Sequence, residues 1–467
     1  MTRARRPFAR WIESFGFWIT MLVIGLVATY ARVVLDYGVP GPFDPTQQGL
    51  CDFHNGVYYP TRAWIDGISP YGLRYAETYP VSKPIPLFSP AILAMHAPIA
   101  MLPLRMAEIV FSLANIAIVA LIAWLTARVI FSTIKTDQTA AQPVASVSCL
   151  GYRFDYRTLM AVIATTIVYS RGGHSSLFQG YFTLVWVLAS LLSVHWAGRR
   201  DVPAALALCV AATKPTYLLP LGFLLLAQRR FRALIAGALL SVVTMAASTG
   251  YLVYKIGDGD ISAGWESLVT EIETAHQLHR DVPDETPMLT WTRVDVVALY
   301  GKWAGYDPSD VGYLLIMMSM LLPSMAAIFW CPVDDQADPP LVGLRGGLIA
   351  ITALVCVYHQ FYDALIIVPP LFGLMTVTGG WSNVGRRWRV VIVIALLSVL
   401  MNYFTTSSFL SRLEPSVMVH RVITSGTAVI LIVAWLVTLG VTIRCGGRSG
   451  WRVQRHWKPT LGSSPPE

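Results

Sequence analysis

The chain has 467 residues, 55% of them hydrophobic and only 13% charged, with a formal net charge of +8. An ordinary soluble domain carries roughly 25% charged residues, so the composition excludes one and points to a protein solvated by lipid. The positive excess does not mark a nucleic-acid binder, because the basic residues fall in short clusters between apolar runs, where the positive-inside bias puts them.

The first apolar run covers residues 15–35. At about 1.5 Å per residue it crosses a hydrocarbon core of about 30 Å. It exceeds the roughly 7–15 apolar residues of a signal-peptide core and further runs follow, so it reads as an uncleaved anchor behind a cytoplasmic segment, residues 1–14, that holds "RARR". Arg32, near its end, is its one notable ionisable side chain.

Assigning each later basic cluster to the cytoplasm predicts crossings at 106–130, 158–170, 177–196, 202–213, 217–228, 234–254, 311–330, 346–358, 361–375, 390–404 and 421–443. The expectation is a single all-α polytopic membrane domain of about twelve helices over residues 1–467, with both termini inside. Residues 36–105 form the first exoplasmic loop, in which the proline-punctuated 87–104 reads as re-entrant. Residues 255–310 form a second long exoplasmic loop, and 444–467 a basic, partly disordered cytoplasmic tail. Several predicted crossings are shorter than the roughly 20 residues of a straight span. Irregular backbone at membrane depth is tolerated where it lines a cavity, so these paired short helices are expected to surround one.

Six cysteines, at 51, 149, 209, 331, 356 and 445, show no CxxC spacing and no Cys/His cluster. Neither a disulfide framework nor a metal site is expected.

This path puts five polar sets on the outer side: the Asp52 stretch, "SRGGHSSLFQG" at 170–180, "TKPT" at 213–216, the loop 255–310, and "YHQFYD" at 358–363. Ionisable groups at membrane depth cost about 2.5–3.5 kcal/mol, so they usually face a cavity or a partner. Lys214, a lone lysine in a tight outer turn, suits an anion such as phosphate, unless it simply snorkels to the interface. Arg171 and His174 sit in a glycine-bearing turn that permits close approach to a ligand, or else cap a helix end. His359 and Asp363, four apart, share a face if helical, and Gln179 is placed to hydrogen-bond a hydroxylated ligand or to start a helix. Asp52 could take a proton from a hydroxyl or serve as a helix cap, and Asp36, Asp44 and Asp66 compete with it.

"CDFHNGVYYPTRAWIDGISPY", "KPIPLFSPAILAMHAPIAMLPLRMAEIVF", "FQGYFTLVWVLASLL", "ALALCVAATKPTYLLPLGFLLLAQRRFR" and "HQFYDALIIVPPLFGL" together resemble glycosyltransferase family 87 of the GT-C superfamily, in the family's order over most of residues 15–380. Two places depart from the family's pattern: "FQGYF" has Gly180 where a short polar residue is usual, and "KPIPLFSP" lacks the commoner Tyr-x-Pro-Pro lead.

The resemblance implies a GT-C-type inverting transferase of a multi-pass bacterial plasma-membrane protein, with its site facing the exterior. It would move a sugar, mannose or a pentofuranose, from a polyprenyl-phosphate donor to a lipid-linked or cell-envelope glycan. It gives the catalytic-base role to Asp52. Donor phosphate then falls to Lys214, Arg171 and His174, and Tyr58, Tyr59, Gln179, His359 and Asp363 line the sugar and acceptor sites. Its partners are membrane lipids, the donor and the acceptor, with no nucleic acid. No cofactor or metal is expected, because the donor has one phosphate rather than a pyrophosphate. The rival reading is a transporter or flippase for a lipid-linked sugar or anionic solute. It expects charges near mid-membrane and internal repeats, whereas the charges here fall at outer tips and no repeat is found.

Overall fold

The computed structural model describes residues 11–41, 44–81, 88–137, 146–280, 286, 288–330 and 338–453. The N-terminal basic stretch, the first part of the proline-rich segment, much of the linker after residue 137 and the end of the C-terminal tail lie outside the described residues.

The first run is a helix, α1 (Phe15–Leu35), with the expected bounds. The first long loop is itself largely helical. It contains α2 (Cys51–Phe53), continued by a π turn (His54–Tyr58) into α3 (Tyr59–Asp66), then α4 (Leu73–Thr78) and α5 (Pro90–Ala100). Helix α5 has 11 residues, about 16 Å at 1.5 Å per residue, too short to cross. A long helix follows, α6 (Leu104–Asp137), and then a small hairpin of β1 (Val147–Cys149) and β2 (Tyr152–Phe154) that the sequence reading did not foresee.

The short apolar runs form α7 (Tyr156–Tyr169), α8 (Arg171–Ser175), a second π turn (Ser176–Gly180), α9 (Thr183–Trp196), α10 (Asp201–Ala212) and α11 (Pro215–Ala227). Local chemistry sets their ends. Asp155 accepts the Thr158 N–H at 2.7 Å to start α7, and Ser170 ends α7 while capping α8 through the Gly173 N–H. Pro215 occupies the first position of α11, where a missing N–H costs nothing. Beyond lie α12 (Phe231–Ile256), α13 (Ile261–Arg280), α14 (Val296–Ala304), α15 (Asp310–Trp330), α16 (Leu344–Cys356), a 3₁₀ turn (Phe361–Ile367), α17 (Val368–Met375), α18 (Arg386–Leu400), α19 (Ser407–Leu413) and α20 (Val417–Val453).

Among the described residues, six helices can cross a membrane by length and composition, or seven if the pair Arg171–Gly180 and Thr183–Trp196, bent by 120°, counts as one span. The protein is therefore an all-α multi-pass membrane protein. The count differs from the expected twelve because α7, α10, α11, α16 and the helical stretch at 361–375 fall short of a span. Their tips converge. One continuous core, which includes Phe53, Phe182, Tyr217 and Trp381, holds them together. Helix α13, within the stretch read as the second long loop, is docked: it shares a second small core with Tyr71 and packs against Trp64.

Candidate functional site

Four of the five polar sets meet at the helix tips through main-chain contacts. The Leu50 N–H donates to the Phe178 carbonyl at 2.9 Å, which fastens the start of α2 to the turn after α8. Gly180 makes that contact close, for its φ is +78° and a Cβ there would lie 2.5 Å from Phe53 Cβ. Gly172 does the same on the other side, where a Cβ would meet the Tyr362 backbone at 3.0 Å. The Val294 N–H donates to the His359 carbonyl at 3.0 Å and the Phe361 N–H to the Thr292 carbonyl at 2.9 Å, zipping the long loop to the "YHQFYD" tip. A buried Arg293–Asp295 pair at 2.8 Å and the Asp295 cap on α14 hold that edge.

Between these elements lies a cavity of about 250 Å³. Arg32, Arg171 and His174 line it, with Asp44, Gln48 and Gln179 as polar walls and Trp291 and Tyr403 as aromatic ones. Cys51 also lines it, and Asp52 is the next residue in the first turn of α2, half-buried. The Tyr181 hydroxyl lies in the field of both Asp52 and Asp363.

Arg171 is 6% exposed and has no carboxylate partner among the described residues. Its guanidinium donates to the Asn402 carbonyl at 3.2 Å, to the Thr405 hydroxyl and to the Thr405 carbonyl at 2.9 Å, and it stacks on Phe361 at 3.9 Å. These neutral acceptors orient the charge without cancelling it. His174 bridges Thr29 at 3.1 Å and Arg32 at 3.2 Å and stacks parallel to Phe178. Arg32 also reaches Asp36 at 3.1 Å.

Lys214 does not line this cavity. Its ammonium lies 2.5 Å from Asp363 Oδ1, above the ring of Trp186 at 4.7 Å, and Tyr217 donates to the same oxygen at 3.1 Å. Asp363 is fully buried and accepts the Gln360 N–H at 3.0 Å, closing a capping box. That box starts the 3₁₀ turn at Phe361, so His359 and Asp363 do not share a helical face: His359 lies in extended chain bonded to the long loop. Both still meet Tyr217, His359 edge-on at 5.4 Å.

The remaining expected residues divide. Gln179 lines the main cavity and accepts from Ser175. Tyr58 is buried and donates to the Leu102 carbonyl at 2.9 Å, while Tyr59 faces a separate small cavity with Tyr37, Asp44, His54 and Asn55. The sequence reading missed Trp291, Tyr403 and Thr406–Ser408 as walls, and saw Arg32 only as the end of a span. A charge inside an apolar run was the signal for Arg32. Nothing in the sequence marks the 403–408 turn.

Among the described residues no group of three or more His, Cys, Asp or Glu could hold a metal ion. A sequence model described as Glycosyltransferase family 87 matches residues 87–357. No curated protein and no solved structure matches the chain.

Proposed function

The chain belongs to glycosyltransferase family 87 and is a membrane-embedded glycosyltransferase, and from that premise we propose that it transfers mannose or a pentofuranose from a polyprenyl phosphate to a lipid-linked or cell-envelope glycan on the outer face of a bacterial plasma membrane. The observation that carries this reading is the buried Arg171 guanidinium, without a carboxylate partner among the described residues, beside Arg32 and His174 in a cavity bordered by the Asp52 turn. A buried cation without a counter-charge is costly, and an anionic ligand removes that cost.

In this scheme the Asp52 carboxylate takes the proton of an acceptor hydroxyl. The acceptor oxygen forms a bond to the anomeric carbon on the face opposite the polyprenyl phosphate, whose carbon–oxygen bond breaks, so the configuration inverts. The bonding pair leaves with the phosphate, and Arg171 and Arg32 receive its growing negative charge, with the His174 Nε2 lone pair holding Arg32 in place; donors held in place beforehand contribute most of their stabilisation as charge develops. Lys214, its charge cancelled by Asp363, ties the "TKPT" turn to the "YHQFYD" tip in this scheme rather than contacting the phosphate. Gln179 and Trp291 offer a hydrogen bond and an apolar face to a sugar ring.

The test is Asp52→Asn in membranes supplied with radiolabelled polyprenyl-phosphate mannose and, separately, polyprenyl-phosphate arabinofuranose. Loss of a general base is expected to lower transfer by about 10²–10⁴-fold. Undiminished transfer removes Asp52 from the role, and no transfer by the wild type from either donor removes the donor class.

A further inference from the structure

The turn that carries Asp52 is gripped by a polar network centred on the buried side chains of His54, Gln47 and Glu108. His54, 4% exposed, opens the π turn two residues after Asp52, and π turns are frequent at functional sites. Its Nε2 lies 2.8 Å from Glu108 Oε1 in the first turns of α6, and its Nδ1 is bonded to the Gln47 side chain. A carboxylate only accepts and an amide nitrogen only donates, so the consistent assignment is Nε2–H toward Glu108 and a lone pair toward Gln47. Glu108, 7% exposed, collects two further donors: the Tyr37 hydroxyl at 2.8 Å from just beyond α1, and Arg105 at 3.2 Å. Burial, and then Glu108 itself, pushes the Tyr37 phenol up to about 12, so it stays protonated and donating.

The network ties three elements together. Tyr37 follows the first span, Arg105 and Glu108 open the second, and Gln47 and His54 flank the Asp52 turn. On the adjacent residue, Phe53 packs against Phe111 of α6 at 4.7 Å and against the bare backbone of Gly180. Phe53 fixes how deeply the turn sits, but apolar contact is non-directional and does not fix its rotation. The directed His54–Glu108 bond does.

We propose that His54 and Glu108 are positioning residues that set the rotation of the Asp52 turn, a role that rests on the base assignment made above. Neither touches the reacting groups; they act through Asp52. Because a residue that acts through another has no effect once that other is gone, the proposal makes a coupling prediction.

The experiment compares Glu108→Ala, Glu108→Gln and Tyr37→Phe, each alone and combined with Asp52→Asn, as purified full-length enzyme in detergent with polyprenyl-phosphate mannose. Activity is normalised to the folded fraction from thermal melting. Glu108→Ala is expected to lower kcat at least tenfold with the donor KM within about twofold of wild type, because geometry rather than binding is lost. Glu108→Gln keeps an acceptor for His54 and is expected to restore most of kcat. Tyr37→Phe, the mildest change, is expected to lower kcat a few-fold and keeps the test open if Glu108→Ala does not fold. In the Asp52→Asn background each variant is expected to cause no further loss. The proposal is overturned if the losses multiply in that background, if they appear in KM rather than kcat, or if they vanish on normalisation. A fully active Asp52→Asn enzyme overturns instead the base assignment, which separates the two failures.

Discussion

Arg171 and Lys214 both follow a short apolar helix, and both end at the same cluster of helix tips, yet their electrostatics are opposite. Lys214 has Asp363 at 2.5 Å and a roof of aromatic rings, so its charge is cancelled. Among the described residues Arg171 donates to carbonyl and hydroxyl oxygens and stacks on Phe361, with no carboxylate, so its charge is aimed but kept, and a cavity opens beside it. In the sequence both are candidates for the donor phosphate, Lys214 the more direct one. The difference arises from a counter-ion far along the chain, and it teaches that a cation at a helix tip reports on a ligand only once its counter-charge is known.

Breaking each cluster should give opposite phenotypes. Asp363→Ala strands the Lys214 ammonium and removes the acceptor of Tyr217 and of the Gln360 N–H, and losing one partner of a buried pair typically costs about 3–5 kcal/mol. The largest fall in melting temperature is expected here. Arg171→Ala is expected to melt closer to wild type but to lose about 10²–10³-fold in kcat/KM for the donor, the usual cost of one preorganised charge-stabilising donor. If Arg171→Ala unfolds the protein yet leaves turnover per folded molecule intact, the contrast fails and Arg171 is a strut.

A smaller change sharpens the comparison on the Asp52 side. Gly180→Ala places a Cβ 2.5 Å from Phe53 Cβ in a left-handed conformation. Overpacking costs roughly 1–3 kcal/mol, and the left-handed backbone adds about 1–2 kcal/mol. Because Phe53 adjoins Asp52, kcat should fall while the donor KM, set at Arg171, stays near wild type. A rise in KM with unchanged kcat would show that the turn serves the cationic wall instead.

The long elements were legible because apolar runs of helical length state themselves: 15–35 was read with the observed bounds, and 311–330 and 234–254 to within a few residues. The polar sets were read onto one side from a twelve-crossing path that the structure does not reproduce, yet four of the five meet at the helix tips. What the sequence hid was pairing. Neither the Lys214–Asp363 pair nor the His54–Glu108 contact has a local signature, since each joins residues more than fifty apart. Gly180, a departure from the expected family pattern, became explicable once Phe53 was seen against it. The hairpin at 147–154 and the wall at 403–408 were missed because short polar segments carry no periodicity.

The smallest expected effect concerns the loop between α1 and α2, which forms part of the cavity wall through Asp44. Burial acts to raise this carboxyl, but the Thr46 and Asn55 side chains and the Thr46 and Gln47 N–H groups, at 2.7 and 3.1 Å, outweigh it and hold the group below the usual aspartate range. A group whose folded value is depressed lends stability above its unfolded value, about 3.9, and that stability is lost as pH falls through the lower folded value. The loop should therefore resist proteolysis unchanged from neutral pH down to about pH 4 and loosen only below it. Asp44→Asn should remove this dependence while Asp36→Asn and Asp66→Asn keep it. Loosening centred near pH 6 in the wild type, and unaffected by Asp44→Asn, would assign the loop's order to a histidine instead, and would leave the cationic cavity with a wall that responds to physiological pH.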